Sequence, residues 1–184
     1  MRARLASKNF NKLRELREAL PDWQLELLEA DDYPPEDGET YRDNARIKAR
    51  FGRALAPPDE WVLGEDSGIE VDALDGGPGP ESARWAKGRE PERLLEVLGD
   101  AEDRRARYVC ELVAIAPDGG ELEARGELHG RIAHELRGSA GFGFDPVFVP
   151  EGETMTVAEL GDEVKRRISH RARAARSLAA QVES

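Results

Sequence analysis

A long predicted β-hairpin in the second half of the chain restricts the possible folds most. Residues 105–116 and 121–132 both have strand-like sequences, and Pro117-Asp118-Gly119-Gly120 between them is a strong turn signal. Strands alternate with helices before this hairpin, and helices follow it. The mixed order predicts an α/β or α+β fold, with a central twisted sheet and two lobes around a cleft.

The other elements are predicted from hydrophobic spacing and turn residues. Leu13, Leu16 and Leu20 recur at helical spacing, which predicts a helix over 10–20. Thr40 is expected to cap a second helix over 40–55. The remaining predicted elements are strands at 2–6, 24–28, 61–64 and 68–72, a helix at 91–98, a glycine-rich loop at 138–146 followed by a strand-like VFVP, and one or two helices within 156–182.

The length and composition fit one domain and exclude several partners. The 184 residues suffice for a single domain with two lobes, spanning 1–184. The net charge of −11 disfavours duplex nucleic acid and anionic membranes. No apolar run approaches the ~20 residues that span a bilayer, and no apolar signal segment begins the chain, so we expect a cytoplasmic protein. Because Cys110 is the only cysteine, an intrachain disulfide is excluded, and we expect this small residue in the core.

A polar segment at the junction of the first strand and the first helix is a candidate phosphate site. In a chain with only five lysines and three asparagines, it contains two of each. Its residues are Ser7, Lys8, Asn9, Phe10, Asn11 and Lys12. A helix N-terminus presents unpaired N–H groups and a partial positive charge, and both favour phosphate. The glycines of a Walker loop are absent, and an ordinary polar helix cap is the alternative.

Two adjacent acidic residues follow the apolar strand predicted at 61–64. Glu65 and Asp66 precede Ser67 and Gly68, where we expect a tight turn before the next strand. Carboxylate oxygens suit hard cations such as Mg²⁺, and a carboxylate that holds the metal can also help to deprotonate a water. In so acidic a chain, a solvated acidic turn is the alternative interpretation.

Two segments near the C-terminus are candidates for binding a nucleotide base. In the loop at 141–146, aromatic rings alternate with glycines and can expose a face for stacking; its candidates are Phe142, Gly143, Phe144 and Asp145. Further along, Lys165, His170 and Arg171 lie close together in sequence near a predicted helix boundary. Core packing of the two phenylalanines and a basic surface on the C-terminal helix are the alternatives.

Together these segments resemble the inosine triphosphate pyrophosphatase family, in chain order and over residues 3 to about 178. The matching segments are SKNFNK (7–12), DNARIKA (43–49), EDSGIEVDALDGGPGPESAR (65–84), GFGFDP (141–146), TVAEL (156–160) and KRRISHR (165–171). The third segment is the most specific. The chain departs from the family pattern at several positions: Ser7 and Lys8 replace Thr and Gly, Asp43 replaces Glu, Glu65 replaces Asp, and Phe144 replaces Tyr.

The resemblance implies a function and the residues that perform it. The family hydrolyses deaminated purine nucleoside triphosphates such as ITP, dITP and XTP to the monophosphate and pyrophosphate. It implies Mg²⁺ as cofactor, a homodimer, and an elongated α/β fold with a central mixed sheet and a substrate cleft between two lobes. By resemblance, Ser7, Asn9 and Lys12 contact the triphosphate, and Asp43, Glu65 and Asp66 bind Mg²⁺. Asp66 also acts as the general base. The purine ring stacks on Phe142 and contacts Asp145, Lys165, His170 and Arg171.

The expectation for Asp43 also has a helical argument. Asp43, Ile47 and Phe51 share one face of the predicted helix, which is otherwise apolar and should point inward. A carboxylate on such a face usually has a partner or a metal. The alternative is that Asp43 complements the helix dipole in the first turn, with Glu39 and Glu65 as rival metal ligands.

Base selection is expected to follow from matching donors with acceptors. Hypoxanthine and xanthine carry an oxygen at C6, which accepts from His and Arg donors, whereas adenine carries an amino group there. A related pyrophosphatase for modified pyrimidines is the second enzyme hypothesis. A regulator that binds nucleotides without catalysis is disfavoured by Asp66 and Ser67, and a nucleic-acid-binding protein by the charge of −11.

Overall fold

The computed structural model describes residues 1–86 and 88–183. The described strands are β1 (Arg2–Leu5), β2 (Gln24–Leu27), β3 (Trp61–Val71), β4 (Arg105–Ile115), β5 (Glu121–Ile132) and β6 (Phe148–Pro150), and the helices are α1 (Phe10–Ala19), α2 (Tyr41–Leu55), α3 (Ser82–Trp85), α4 (Glu90–Leu98), α5 (Val157–Ile168) and α6 (His170–Val182). The strands form one sheet in the order β2-β1-β3-β4-β5-β6. Since β1 pairs parallel with β2 and β3 while β5 pairs antiparallel with β6, the sheet is mixed and the fold is α/β.

Most predicted elements lie where the sequence placed them, with one exception. The two short strands expected at 61–64 and 68–72 are a single strand, β3, that runs through Glu65, Asp66 and Ser67. The expected turn is wrong because these polar side chains do not need solvent. Glu65 and Asp66 are buried and contact cationic side chains, so the chain stays extended through them.

The first of two compact units comprises 1–67, 110–126 and the residues from 170 onward. Helices α1 and α6 pack on each other, and α1 also packs on β2. The apolar cluster of this unit contains Leu5, Leu16, Leu63, Leu112 and Leu178, all fully buried. Cys110 lies in the same cluster, as expected for a small core residue.

Helix α2 buries a different face from the one expected. Its buried stripe includes Asn44, Ala45, Lys48, Ala49 and Gly52, whereas the stripe of Asp43, Ile47 and Phe51 is only half-buried. The reason is close contact between α2 and β3. A side chain added at Gly64 would lie 1.9 Å from the Ala45 carbonyl oxygen and 2.6 Å from the Ala49 nitrogen, so only small helix residues fit against this strand.

The second unit comprises residues 68–109 and 127–169. Its apolar cluster includes Ile69, Leu94, Ile132, Val147 and Phe148, all fully buried. A capping box at Thr156 and Glu159 begins α5, which is interrupted at Gly161 by a φ of 78°. Among the described residues, no helix has the length and hydrophobicity needed to cross a membrane.

The contact between α2 and β3 yields a stability prediction. We expect Gly64→Ala to lower the free energy of unfolding by about 3 kcal/mol or more, because the new methyl group collides with helix backbone. Gly120→Ala is the matched control, since its nearest neighbour is the movable Asp118 side chain at 3.2 Å, and we expect a change within about 0.5 kcal/mol. Urea unfolding of the three proteins measures both values; equal midpoints for Gly64→Ala and wild type would contradict the close packing.

Candidate active site

The predicted phosphate segment forms a capped helix N-terminus in the first unit. Asn9 is the N-cap of α1, and its side-chain oxygen accepts the backbone N–H groups of Asn11 at 2.9 Å and Lys12 at 3.2 Å. The Ser7 hydroxyl oxygen in turn accepts the Asn9 N–H at 3.0 Å. The side chains of Ser7 and Asn9 therefore hold the shape of this segment.

The other side chains of this segment point in different directions. Lys8, which stands where the family pattern has Gly, donates to the Asp31 carbonyl at 2.6 Å and lies 5.5 Å from the centre of the Tyr33 ring. Phe10 is 74% exposed. Lys12 turns to β3, where its ammonium lies 2.6 Å from a Glu65 oxygen. Within this segment, Lys12 is thus the cation that meets the acidic pair.

Glu65 is fully buried between two cations. Lys12 contacts its Oε2, and Arg171 donates to its Oε1 from Nε at 3.0 Å and from Nη2 at 2.9 Å. Cys110 Sγ lies 3.5 Å from the same Oε1. Burial alone raises the pKa of Glu65, but Lys12 and Arg171 outweigh it and hold the pKa well below its usual value. Glu65 therefore favours its ionised form and holds Lys12 and Arg171 around it.

Arg171 is buried among acceptors of the first unit. Besides Glu65, it donates to the Glu15 carboxylate and, at 2.8 Å, to the Ser67 hydroxyl oxygen. Burial acts to lower the pKa of Arg171, but Glu65 and Glu15 reverse the effect and raise it. The sequence assigned Arg171 to base recognition, whereas in the structure its guanidinium contacts Glu65, Glu15 and Ser67.

Asp66, the expected general base, lies beside Glu65 but has different partners. Its Oδ2 accepts from the Asn44 amide at 3.1 Å, and its Oδ1 accepts from the Lys48 ammonium at 3.1 Å. Lys48 also donates to the Glu65 carbonyl at 3.0 Å. Burial raises the pKa of Asp66, and the nearby Lys48 and Lys12 cations oppose this rise without cancelling it. Asp66 is thus a stronger base than an exposed aspartate, as a proton acceptor requires.

The metal ligands expected from sequence do not form one cluster. The part of the chain that the structure describes contains no group of three or more His, Cys, Asp or Glu side chains that could hold a metal ion. The Asp43 carboxylate accepts from the Thr40 N–H at 3.2 Å and hydroxyl at 2.7 Å, in a capping box at the start of α2. Glu36, in the loop before α2, shares the Lys48 ammonium with Asp66.

A second polar cluster lies in the second unit and contains three predicted base-binding residues. Asp145 is 2% exposed, and its Oδ2 accepts from the Lys165 ammonium at 2.6 Å and from the Phe142 N–H at 2.9 Å. The Lys165 ammonium also lies 4.2 Å from the centre of the Phe142 ring. Tyr108 on β4 donates to Asp145 Oδ1 at 3.2 Å. The cluster therefore combines a cation, an anion and a half-buried aromatic ring.

The remaining predicted residues of this region have other settings. Phe144 is 5% exposed in the core of the second unit, with its ring centre 6.5 Å from that of Trp85, so it is a core residue and not a stacking surface. Gly143 has a φ of 60°, which turns the loop between the two phenylalanines. His170 is 6% exposed at the start of α6, in the first unit.

Sequence reasoning missed five residues around the functional groups. Glu15, Asn44, Lys48 and Tyr108 each contact a predicted site residue, and Glu36 contacts Lys48. Two of them had a local signal: Glu15 lies three positions after Lys12 on α1, and Asn44 four positions before Lys48 on α2, so each pair shares a helix face. Glu36 and Tyr108 reach their partners through tertiary contacts that no local pattern shows.

Comparisons with known proteins agree over nearly the whole chain. A sequence model of the Ham1 family matches residues 3–181. The dITP/XTP pyrophosphatase of Opitutus terrae is 44% identical over 97% of each chain, and that of Symbiobacterium thermophilum is 46% identical over 92% of this chain and 89% of the relative.

Solved structures show the same relationship. The Ham1 protein of Staphylococcus aureus has a TM-score of 0.86 at 35% identity, over 100% of this chain and 98% of that one. A HAM1 protein from Coxiella burnetii has a TM-score of 0.85 at 32% identity, over the full length of both chains. These matches in sequence and structure show that the chain belongs to the Ham1 family.

Proposed function

We propose that this chain hydrolyses noncanonical purine nucleoside triphosphates, namely dITP, XTP and ITP, to the nucleoside monophosphate and pyrophosphate. The observation that carries the proposal is Asp66, a buried carboxylate with a raised pKa that Asn44 and Lys48 hold in place. The relatives named dITP/XTP pyrophosphatase support the substrate class.

The chemistry requires a base, a water and stabilisation of the leaving group. Asp66 accepts a proton from the water whose oxygen attacks the α-phosphorus, and the bond from this phosphorus to the bridging oxygen breaks to release pyrophosphate. Lys12 and the N-terminus of α1 favour negative charge on the phosphates, and Lys48 holds Asp66 in position. Phosphoryl transfer depends mainly on such positioning and electrostatics.

Mg²⁺ is the proposed cofactor, and the donor chemistry of this unit fits it. Mg²⁺ prefers oxygen ligands and typically binds through one or two carboxylates together with substrate phosphates. Asp66 and Glu36 would hold the ion, because both carboxylates contact the Lys48 ammonium and therefore lie close to each other. Glu65 suits this role less, because it is fully buried between two cations, whereas the Glu36 side chain is partly exposed. When bound, Mg²⁺ neutralises phosphate charge and lowers the pKa of a coordinated water.

The second unit supplies groups that fit an oxopurine. Phe142 offers a ring for stacking, and Lys165 offers a buried donor fixed by Asp145. An oxygen at C6 accepts from such a donor, whereas the amino group of adenine leaves it unpaired. An unpaired buried donor costs about 1–3 kcal/mol, which is enough to reject ATP.

The assembly and the location are part of the same proposal. The family resemblance supports a homodimer, which size-exclusion chromatography with light scattering measures directly. The proposed substrates belong to the cellular nucleotide pool, which supports a cytoplasmic location.

The proposed function is tested by pyrophosphate release across a panel of nucleoside triphosphates, with and without Mg²⁺. We expect dITP, ITP and XTP to be cleaved far faster than ATP, dATP and modified pyrimidine triphosphates, with one pyrophosphate for each monophosphate. Release of orthophosphate alone, or equal turnover of ATP, would contradict the proposal.

The role of Asp66 as proton acceptor predicts both a mutant effect and a pH effect. We expect Asp66→Asn to fold normally but to lose about 10²–10⁴-fold in turnover, as for other general bases. In the wild type, kcat/KM should fall at low pH as Asp66 becomes protonated and can no longer accept a proton. Asp22→Asn, at an exposed site, is the matched control. If Asp66→Asn keeps both normal turnover and the fall of kcat/KM at low pH, Asp66 is not the general base.

The placement of Glu36 and Asp43 predicts which carboxylate affects the metal. We expect Glu36→Gln to raise the Mg²⁺ concentration for half-maximal activity by about tenfold. Asp43→Asn should leave this concentration unchanged, because the Asp43 carboxylate caps α2. Asp37→Asn, at an exposed position of the same loop, is the control. Mg²⁺ titrations of initial rate distinguish the variants, and the reverse order for Glu36 and Asp43 would restore Asp43 as the ligand.

A further inference from the structure

Tyr108 brings a polar group into an apolar part of the second unit. Its side chain lies on β4, is 7% exposed, and packs with its ring centre 4.5 Å from that of Phe148. Its hydroxyl donates to Asp145 Oδ1 at 3.2 Å. No motif in the sequence marked this residue, and Tyr108 is not part of the function proposed above.

Asp145 fixes the loop and the cation around it. Its Oδ2 accepts both the Phe142 N–H and the Lys165 ammonium, and a side chain added at Gly141 would lie 2.1 Å from this oxygen. The loop is therefore wrapped tightly around one orientation of the carboxylate. A rotation of Asp145 would move the acceptor of Lys165 and the anchor of Phe142 together.

We propose that Tyr108 is a positioning residue for base selection, which rests on the proposed function. Its hydroxyl holds Oδ1 of Asp145, so that Oδ2 stays directed at Lys165 and at the loop N–H. The Lys165 ammonium then stays at the Phe142 ring as a donor of fixed position. Selectivity for a C6 oxygen over an amino group depends on such a fixed donor, since a mobile ammonium can move away from the amino group.

Tyr108 lies on a strand and not on the glycine-rich loop. Phe144, the loop residue that stands where the family pattern has Tyr, is buried in the core beside Trp85 and has no hydroxyl. The phenol that reaches Asp145 comes from β4, whose residues around Tyr108 are regular strand. A donor on a strand is held more rigidly than one on a glycine-rich loop.

The test compares Tyr108→Phe with wild type on dITP and dATP, each with kcat and KM measured separately. We expect KM for dITP to rise about fivefold, the size of one net hydrogen bond, while kcat for dITP changes less than about twofold. The ratio of kcat/KM for dITP over dATP should fall by about the same fivefold. Tyr41→Phe, which removes a hydroxyl from a buried tyrosine of the first unit, is the matched control and should leave the ratio unchanged.

A double-mutant cycle tests whether Tyr108 acts through Lys165. In a Lys165→Gln background, Tyr108→Phe should have no further effect on the ratio, because the positioned cation is already gone. Any of three outcomes would overturn the proposal. The first is an equal loss of kcat/KM for dITP and dATP, which leaves the ratio unchanged. The others are a full effect of Tyr108→Phe in the Lys165→Gln background and a Tyr108→Phe protein that fails to fold. The wild type alone tests the proposed function, which fails if dITP and dATP are cleaved equally.

Discussion

Glu65 carries a negative charge at a place that solvent does not reach, and the first unit is arranged around that charge. An isolated buried carboxylate would become protonated, so its ionisation requires partners. Lys12 comes from α1, and Arg171 comes from the start of α6 and is itself held by Glu15 of α1. Two helices and a strand are therefore tied at one buried anion, and removing one partner of such a pair typically costs about 3–5 kcal/mol.

The two neighbouring carboxylates of β3 have pKa values that their surroundings shift in opposite directions. Glu65 has its pKa held down by Lys12 and Arg171, while burial raises the pKa of Asp66 despite Lys48 and Lys12. Successive strand residues point to opposite faces, which explains how adjacent positions meet different partners. One carboxylate is a fixed anion, and the other is a proton acceptor. This division of roles is the usual outcome where environments push neighbouring pKa values apart.

The sequence predicted the elements and the family but not the long-range partners. The hairpin, the cap at Thr40 and the C-terminal helices carry local signals, and the ordered motifs led to the family that the comparisons confirmed. The contact of Arg171 with Glu65 joins residues 106 positions apart, and no spacing rule shows it. Polarity was also misleading in β3, because buried ion pairs let polar residues remain in a strand.

Close packing of α2 against β3 positions the residues that hold Asp66, the proposed general base. Because position 64 has no side chain, α2 lies against β3 closely enough for Asn44 and Lys48 to reach Asp66. The same stripe of α2 is therefore both the packing face, through Ala45, and the polar face that holds the carboxylate. Asp43 does not contact Asp66 because it lies beside the face of α2 that meets β3, and its carboxylate caps the helix instead. Chemistry at Asp66 thus depends on a glycine two positions earlier in the chain.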